Sequence, residues 1–230
     1  AFAPAEKVLT LDGTGDFVEI PDNGSLDFPG NQLTIESWVK TNSYSGDYRC
    51  ILGKIGWTNS SDWSYNLHIA DNGTLHFNFV NTAGTSFPLN SPGSLTNGVW
   101  HHVAATYNGS IIRLYINGEE VISMPASGNF RQNNQPVKIG AWHSTDQNYF
   151  DGKLDEIRVW NHARTQAQIQ DNMYRSLTGT ETGLTGYWNF GSGTASDLTS
   201  NGNHGTMQGD EAVLTDWRIT TAQTLTAWQM

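Results

Sequence analysis

At 230 residues, 37% of them hydrophobic, the chain has material for one large all-β core, and no apolar run approaches the roughly 18 residues that a membrane span needs. A formal charge of -10, from 12 Lys and Arg against 22 Asp and Glu, with the basic residues scattered, removes the electrostatic reason for a nucleic acid to bind. The single cysteine, Cys50, excludes an internal disulfide and reads as a core thiol.

No charged segment followed by a long apolar one opens the chain, so a secretion signal is expected to have been removed or to belong to a larger precursor. Val8 to Leu11 and Asp16 to Ile20 read as short strands around the Asp12-Gly13-Thr14-Gly15 turn, and Pro21 ends the second. Leu33 to Val39 alternates, with Leu33, Ile35, Ser37 and Val39 on one face and Thr34, Glu36 and Trp38 on the other, as a half-buried strand does. Between Thr41 and Trp63 alternation fades into a long loop, interrupted by a short Cys50-Ile51-Leu52 run. Long loops on rigid scaffolds collect binding residues, and this one holds Tyr48, Arg49, Trp57 and Trp63.

A hairpin follows, Tyr65 to Ala70 turning through Asp71-Asn72-Gly73 into Thr74 to Val80. Its register places Leu67 opposite Phe77 and Ile69 opposite Leu75 on the apolar side, with His68 opposite His76 and Asn66 opposite Asn78 on the other. That polar ladder is either a solvated outer face or a floor where amides and imidazoles meet sugar hydroxyls. Two Asn-Gly turns, at 108–109 and 117–118, then separate His101 to Tyr107, Ile111 to Ile116 and Glu119 to Ser123, a meander that sets the class as all-β. Val137 to Ala141 continues it, and a polar, aromatic loop with Trp142, His143 and Tyr149 leads on.

In Gly152 to Trp160, a period of two puts Asp155, Ile157 and Val159 on one face and Leu154, Glu156, Arg158 and Trp160 on the other. Asp155 leads an apolar row, and a half-buried carboxylate there calls for backbone N–H groups, a cation or a metal. One helix is expected, Gln166 to Met173, with Thr165 as N-cap, Gln168 at capping-box spacing, and a narrow stripe of Ile169 and Met173.

Several blocks, in order, carry a family resemblance: Leu11 to Pro21, Leu33 to Val39, Trp100 to Tyr107, Leu114 to Gly118, and Gly152 to Trp160. The chain resembles the laminin-G-like jelly rolls of the concanavalin A-like lectin/glucanase superfamily across most of residues 8–175. That implies an all-β, two-sheet antiparallel jelly-roll sandwich with one short helix. Gly183 to Phe190, followed by Asp197 and Ser200 to Thr206, resembles the segment that commonly opens such a domain. It either closes this sandwich, as in a circular permutation, or begins a second repeat; roughly 40 residues bury too little to stand alone, which favours one domain over 1–230 with 183–215 as closing strands.

The resemblance further implies a structural calcium held by an Asp near a strand start, as Asp155 is here, with backbone carbonyls of a strand like Trp188 to Gly193; Asp12 and Asn189 are further ligand candidates. For each, turn capping by a short polar side chain is the competing expectation, as it is for the Asp197 to Asn203 loop. Hydrolases of the superfamily carry acids spaced as Glu-x-Asp-x-x-Glu, about 5 Å apart across the scissile bond, and that pattern is absent. Adjacent Asp155 and Glu156 should point to opposite faces, and neither a Gly-x-Ser-x-Gly elbow nor a phosphate-binding Gly loop occurs.

The leading expectation is therefore a secreted or cell-surface, non-catalytic glycan-binding module with a structural calcium, using Tyr48, Arg49, Trp57, Trp63, His68, His76, Trp142, His143 and Tyr149 on a polysaccharide or other glycan. A protein-binding adhesion module of a large surface protein is the first alternative, and a polysaccharide lyase or hydrolase with an unfamiliar site the second. The fold hosts all three.

Overall fold

The structure, a computed structural model, describes residues 7–44, 48–56, 62–142 and 148–209, together with the backbone of 212–215. Its strands are β1 (Lys7–Asp12), β2 (Phe17–Ile20), β3 (Leu33–Thr41), β4 (Arg49–Ile55), β5 (Trp63–Ile69), β6 (Thr74–Phe79), β7 (Leu89–Ser94), β8 (His101–Tyr107), β9 (Ile111–Ile116), β10 (Glu119–Pro125), β11 (Val137–Ile139), β12 (Asp151–Trp160), β13 (Leu184–Trp188), β14 (Thr206–Gln208) and β15 (Ala212–Thr215). They form two antiparallel sheets, one ordered β10-β9-β8-β3-β12-β1-β15 with β13 also on β12, the other ordered β14-β2-β11-β4-β5-β6-β7. The one α-helix among the described residues, α1 (Gln166–Asn172), starts with the Thr165/Gln168 capping box.

Alternation decides which side chains meet between the sheets. Leu9, Ile35, Val39 and Leu114 from the first sheet pack against Val18, Leu67, Phe77 and Ile139 from the second, all essentially without exposure. Burying each such side chain contributes about 1.5–3 kcal/mol. Phe79 lies 4.5 Å from Tyr107, 4.8 Å from Phe130 and 5.0 Å from Phe87 between ring centroids, which gives the core a dense aromatic end.

Three expectations need correction. The Cys50-Ile51-Leu52 run belongs to a seven-residue strand, β4, paired with both β5 and β11. Bulges between Cys50 and Leu52 and between Lys54 and Ile55 break the alternation that would have marked it. Next, β3 is buried on both faces rather than one, Thr34, Glu36 and Ser37 being wholly inaccessible. Its outer side carries Trp38, whose indole N–H donates to the Met173 carbonyl at 2.7 Å, so the end of α1 covers it.

The third correction concerns β12. Asp155 stands opposite Trp38, yet Arg158 stands opposite Glu36, so β12 holds one more residue than β3 over that interval. The extra residue is a β-bulge, and Glu156 takes φ 50 there. Leu154, Ile157 and Val159 consequently all enter the main core. Asp155 shares the outer side with Trp38 and Arg158, and Glu156 also reaches Arg158, Ser176 and Tyr187, so the two acids are not separated by the sheet.

The C-terminal strands pair into this same framework. β13 runs along the edge of β12 beyond β1, β14 pairs with β2, and Trp188 and Phe190 are core residues. Asp197 holds the connection: its Oδ1 accepts from the Tyr187 and Thr199 amides and its Oδ2 from the Asn203 amide and Thr199 hydroxyl. Those four bonds make it an Asx-type staple.

Candidate functional site

The side chains that converge on one place lie on the face of the second sheet turned away from the core. The β5/β6 hairpin fixes the register, pairing His68 with His76 and Asn66 with Asn78. β4 brings Cys50 opposite His68, and β7 brings Asn90 opposite His76, so a row of Cys50, His68, His76 and Asn90 crosses four strands. The two imidazoles stack at 4.3 Å between centroids, 28° apart.

Each ring is oriented by an amide. Asn66 Nδ2 lies 2.8 Å from His68 Nδ1, and Asn90 Oδ1 lies 2.8 Å from His76 Nδ1. An amide nitrogen only donates and an amide oxygen only accepts, so this network assigns His68 its proton on Nε2 and His76 its proton on Nδ1. The stacked pair therefore offers one Nε2–H donor and one Nε2 acceptor. A hydroxyl group, which donates and accepts at once, is complementary to that pair.

Three aromatic side chains gather beside the row, Tyr48 and Trp142 from loops and Trp63 from the start of β5. Trp142 lies 4.8 Å from His68, is stacked with Tyr48 at 5.5 Å and 28°, and meets Trp63 edge-on at 5.6 Å and 71°. Tyr48 is 42% exposed while His68 is 2% exposed, so the cluster grades from an open aromatic rim to a buried polar floor. Trp63, His76 and Trp142 are half-buried. Burial, reinforced by His76, holds His68 well below the ordinary imidazole pKa, and burial lowers His76 despite its bond to Asn90. Both rings are neutral at pH 7.

Of the expected contact residues, Tyr48, Trp63, His68, His76 and Trp142 thus form one cluster. Arg49 and Tyr149 stand beside it in a supporting arrangement: the Arg49 guanidinium donates to the Ser43 and Tyr149 carbonyls at 3.0 Å each, and the Tyr149 ring is buried against Phe17. Trp57 and His143 lie outside the described residues. Asn90 was missed; its alternation with the buried Leu89 and Ser91 is the signal that could have found it, masked by Pro92 and Gly93.

The three expected calcium ligands are apart in role. Asp12 Oδ1 accepts from the Thr14 amide and Asn189 Oδ1 from the Gly191 amide, each capping its own turn. Asp155 is buried in the bulge, where its Oδ1 accepts the Glu156 amide at 2.8 Å. Burial, then the neighbouring Glu156 charge, pushes its carboxyl well above the usual range. Among the described residues no group of three or more His, Cys, Asp or Glu side chains is placed to hold a metal. Glu156 is already bonded to Arg158, Ser176 and Tyr187, so a calcium at Asp155 would take most of its six to eight oxygens from carbonyls.

A second concentration of charge lies on the outer side of the first sheet. Glu36 Oε1 accepts from Arg164 at 2.8 Å and from the Trp160 indole at 3.0 Å, with Arg158 at 3.6 Å and His102 facing Oε2 at 3.7 Å. Burial alone would raise the Glu36 carboxyl; Arg158, His102 and Arg164 outweigh it and lower its pKa. Arg158 also donates to the Asn172 carbonyl, a group that the end of α1 leaves open, and Arg164 donates to the Gln168 carbonyl within the helix. None of Glu36, His102, Arg158 and Arg164 is more than 5% exposed. A substrate has no access to such a cluster, and it serves to fasten the helix to the sheet.

The fold defines a class, the two-sheet antiparallel sandwich, here with an aromatic and polar cluster on the outer face of one sheet. A laminin-G-type family model of the concanavalin A-like lectin/glucanases superfamily matches residues 12–170, and the chain belongs to that family. It is 24% identical to pappalysin-1 of Mus musculus and of Homo sapiens over 184 residues, which is 74% of this chain but 11% of pappalysin-1. Among solved structures it is similar to a candidate carbohydrate-binding protein from Bacteroides ovatus, with TM-score 0.72 and 22% identity over 94% of this chain and 62% of that one. It is also similar to the CBM40 of Ruminococcus gnavus IT-sialidase bound to α2,3 sialyllactose, with TM-score 0.57 and 20% identity over 72% of this chain and 95% of that one. At these identities the likenesses concern the fold.

Proposed function

We propose that this protein is a non-catalytic glycan-binding module whose ligand lies on the outer face of the β4-β5-β6-β7 region. The observation that carries the reading is the convergence of Tyr48, Trp63 and Trp142 over the His68/His76 pair. Aromatic faces supply apolar area to a sugar ring, while oriented amides and neutral imidazoles supply donors and acceptors to its hydroxyls. The carbohydrate-binding structures of similar fold support the same reading. The module acts outside the cell, and residues 183–215 close the same domain; support for the closure comes from the pairing of β13 and β14 with β12 and β2.

The test is a polysaccharide and oligosaccharide array probed with the wild type and with Trp142→Ala. Wild-type binding that falls at least about tenfold in the variant, the effect of losing one well-packed aromatic contact, is expected. Equal binding by the two proteins would place the ligand elsewhere.

A structural calcium at Asp155 belongs to the same proposal. In its support, Ile157 pairs with Trp188, which brings the first residue of the Trp188 to Gly193 segment beside β12, and a cation would favour the ionised form of a buried carboxylate. Calcium should then raise the melting temperature of the wild type and not of Asp155→Asn. Identical melting curves in calcium and in EDTA would remove this part of the proposal without touching the glycan site.

A further inference from the structure

We infer that the ligand of this face is an uncharged glycan, bearing hydroxyl or acetamido groups and no carboxylate, sulfate or phosphate on the sugar held by the cluster. The inference rests on the glycan reading above and specifies its substrate class. Its basis is the disposition of every cation near the site. Arg49 already donates to two backbone carbonyls, Ser43 and Tyr149. Lys138, on the same face through its pairing with Gly53 and Glu19, is 4% exposed, lies 3.3 Å from Glu19 and sits over the Phe17 ring at 4.6 Å.

The imidazoles add no charge, since burial keeps both neutral at pH 7. The stretches just before Tyr48 and Trp63 and just after Trp142 in the sequence add no cation either. Residues 45–47 are Ser-Gly-Asp, 57–61 are Trp-Thr-Asn-Ser-Ser and 143–147 are His-Ser-Thr-Asp-Gln, so those stretches contain no Lys or Arg and two Asp. The whole chain carries -10. A carboxylate or sulfate brought onto this floor would leave water without a cationic partner, which is costly. Hydroxyls instead meet the half-buried His76 Nε2 acceptor and the exposed Asn90 amide, beneath which His68, Asn66 and Asn78 form a buried, uncharged layer. The donor and acceptor inventory is that of a polar, electrically neutral ligand.

The test uses matched probes at neutral pH: lactose against sialyllactose, fully methyl-esterified against de-esterified polygalacturonate, and agarose against sulfated carrageenan, beside neutral cello-, malto-, xylo- and manno-oligosaccharides. Binding is measured for the wild type and Trp142→Ala, with and without added salt. At least one neutral probe should bind in a Trp142-dependent, salt-insensitive way, and wherever a matched pair is bound the acidic member should bind at least about tenfold more weakly. An acidic probe bound as tightly as its neutral partner, or the only probe bound, and lost in Trp142→Ala, would overturn the inference while leaving the glycan reading intact. No binding to any probe would overturn the glycan reading and this inference with it.

Discussion

Acidification should loosen this fold through one identifiable ring, His102. It is 1% exposed and lies edge-on to Trp38 at 5.5 Å, and neither ring nitrogen has a hydrogen-bond partner among the described residues. Burial lowers its pKa from 6.5 to about 4; Glu36 opposes that fall, while Arg158 and Arg164 add to it. The native state therefore holds the ring neutral where the unfolded chain would protonate it. A depressed folded pKa means that the ring contributes its full stability above pH 6.5 and that this contribution is lost as pH falls towards 4. At 1.36 kcal/mol per pH unit, the gap corresponds to roughly 3 kcal/mol, a large part of the ~5–15 kcal/mol that folds a typical domain.

The assay is urea unfolding at several pH values, comparing the wild type with His102→Phe. Phenylalanine keeps a flat ring against Trp38 and cannot titrate, and a ring without hydrogen bonds gives up none in the exchange. The variant should match the wild type within about 1 kcal/mol at pH 7 and lose roughly 3 kcal/mol less on acidification. The remaining histidines titrate in both proteins, so the difference isolates His102. Parallel losses in the two proteins would refute the assignment.

Two further outcomes follow from the geometry. Glu36→Gln removes the carboxylate that Arg164 and Arg158 share, and stability should fall by about 3–5 kcal/mol, measured by urea unfolding; a loss under about 1 kcal/mol would show that the buried arginines are balanced elsewhere. Gly152→Ala would place a Cβ 2.1 Å from the Lys40 carbonyl oxygen at φ 142, so the yield of folded protein should collapse, whereas Gly24→Ala, with nothing within 4 Å, should be tolerated; equal yields would contradict the close approach of β12 to β3.

Much of the sandwich was legible because its turns are marked in the residues. The 108–109 and 117–118 Asn-Gly turns fixed β8, β9 and the start of β10, and the three-residue loop at Asp71 fixed the partners across β5 and β6. The same register placed His68 beside His76, and loop composition flagged Trp63 and Trp142. What failed were inferences that assume unbroken alternation. Bulges in β4 hid a strand, and the one at Glu156 put Leu154 on the core side and Asp155 beside Glu156. The Glu36 network was illegible for another reason. Its partners, Arg158 and Arg164, lie more than 120 positions away, and no local pattern reports that the outer side of β3 is roofed.

The bulge in β12 also limits how this domain can change. Upstream of it the strand keeps step with β1 and β3; downstream it keeps step with β3 and β13 in the opposite phase. β12 is in effect two strands spliced out of phase, and Glu156 is the splice. Flattening the bulge with its residue retained would turn Arg158 towards the hydrocarbon interior and Ile157 and Val159 outward, whereas removing Glu156 itself would leave each of them on its present side. A strand regularised at constant length, usually a stabilising goal in redesign, would here invert half of the sheet's central element. Length variation in this domain is accordingly expected in its loops, and within β12 only at the bulge, where losing Glu156 would cost its contacts with Arg158, Ser176 and Tyr187.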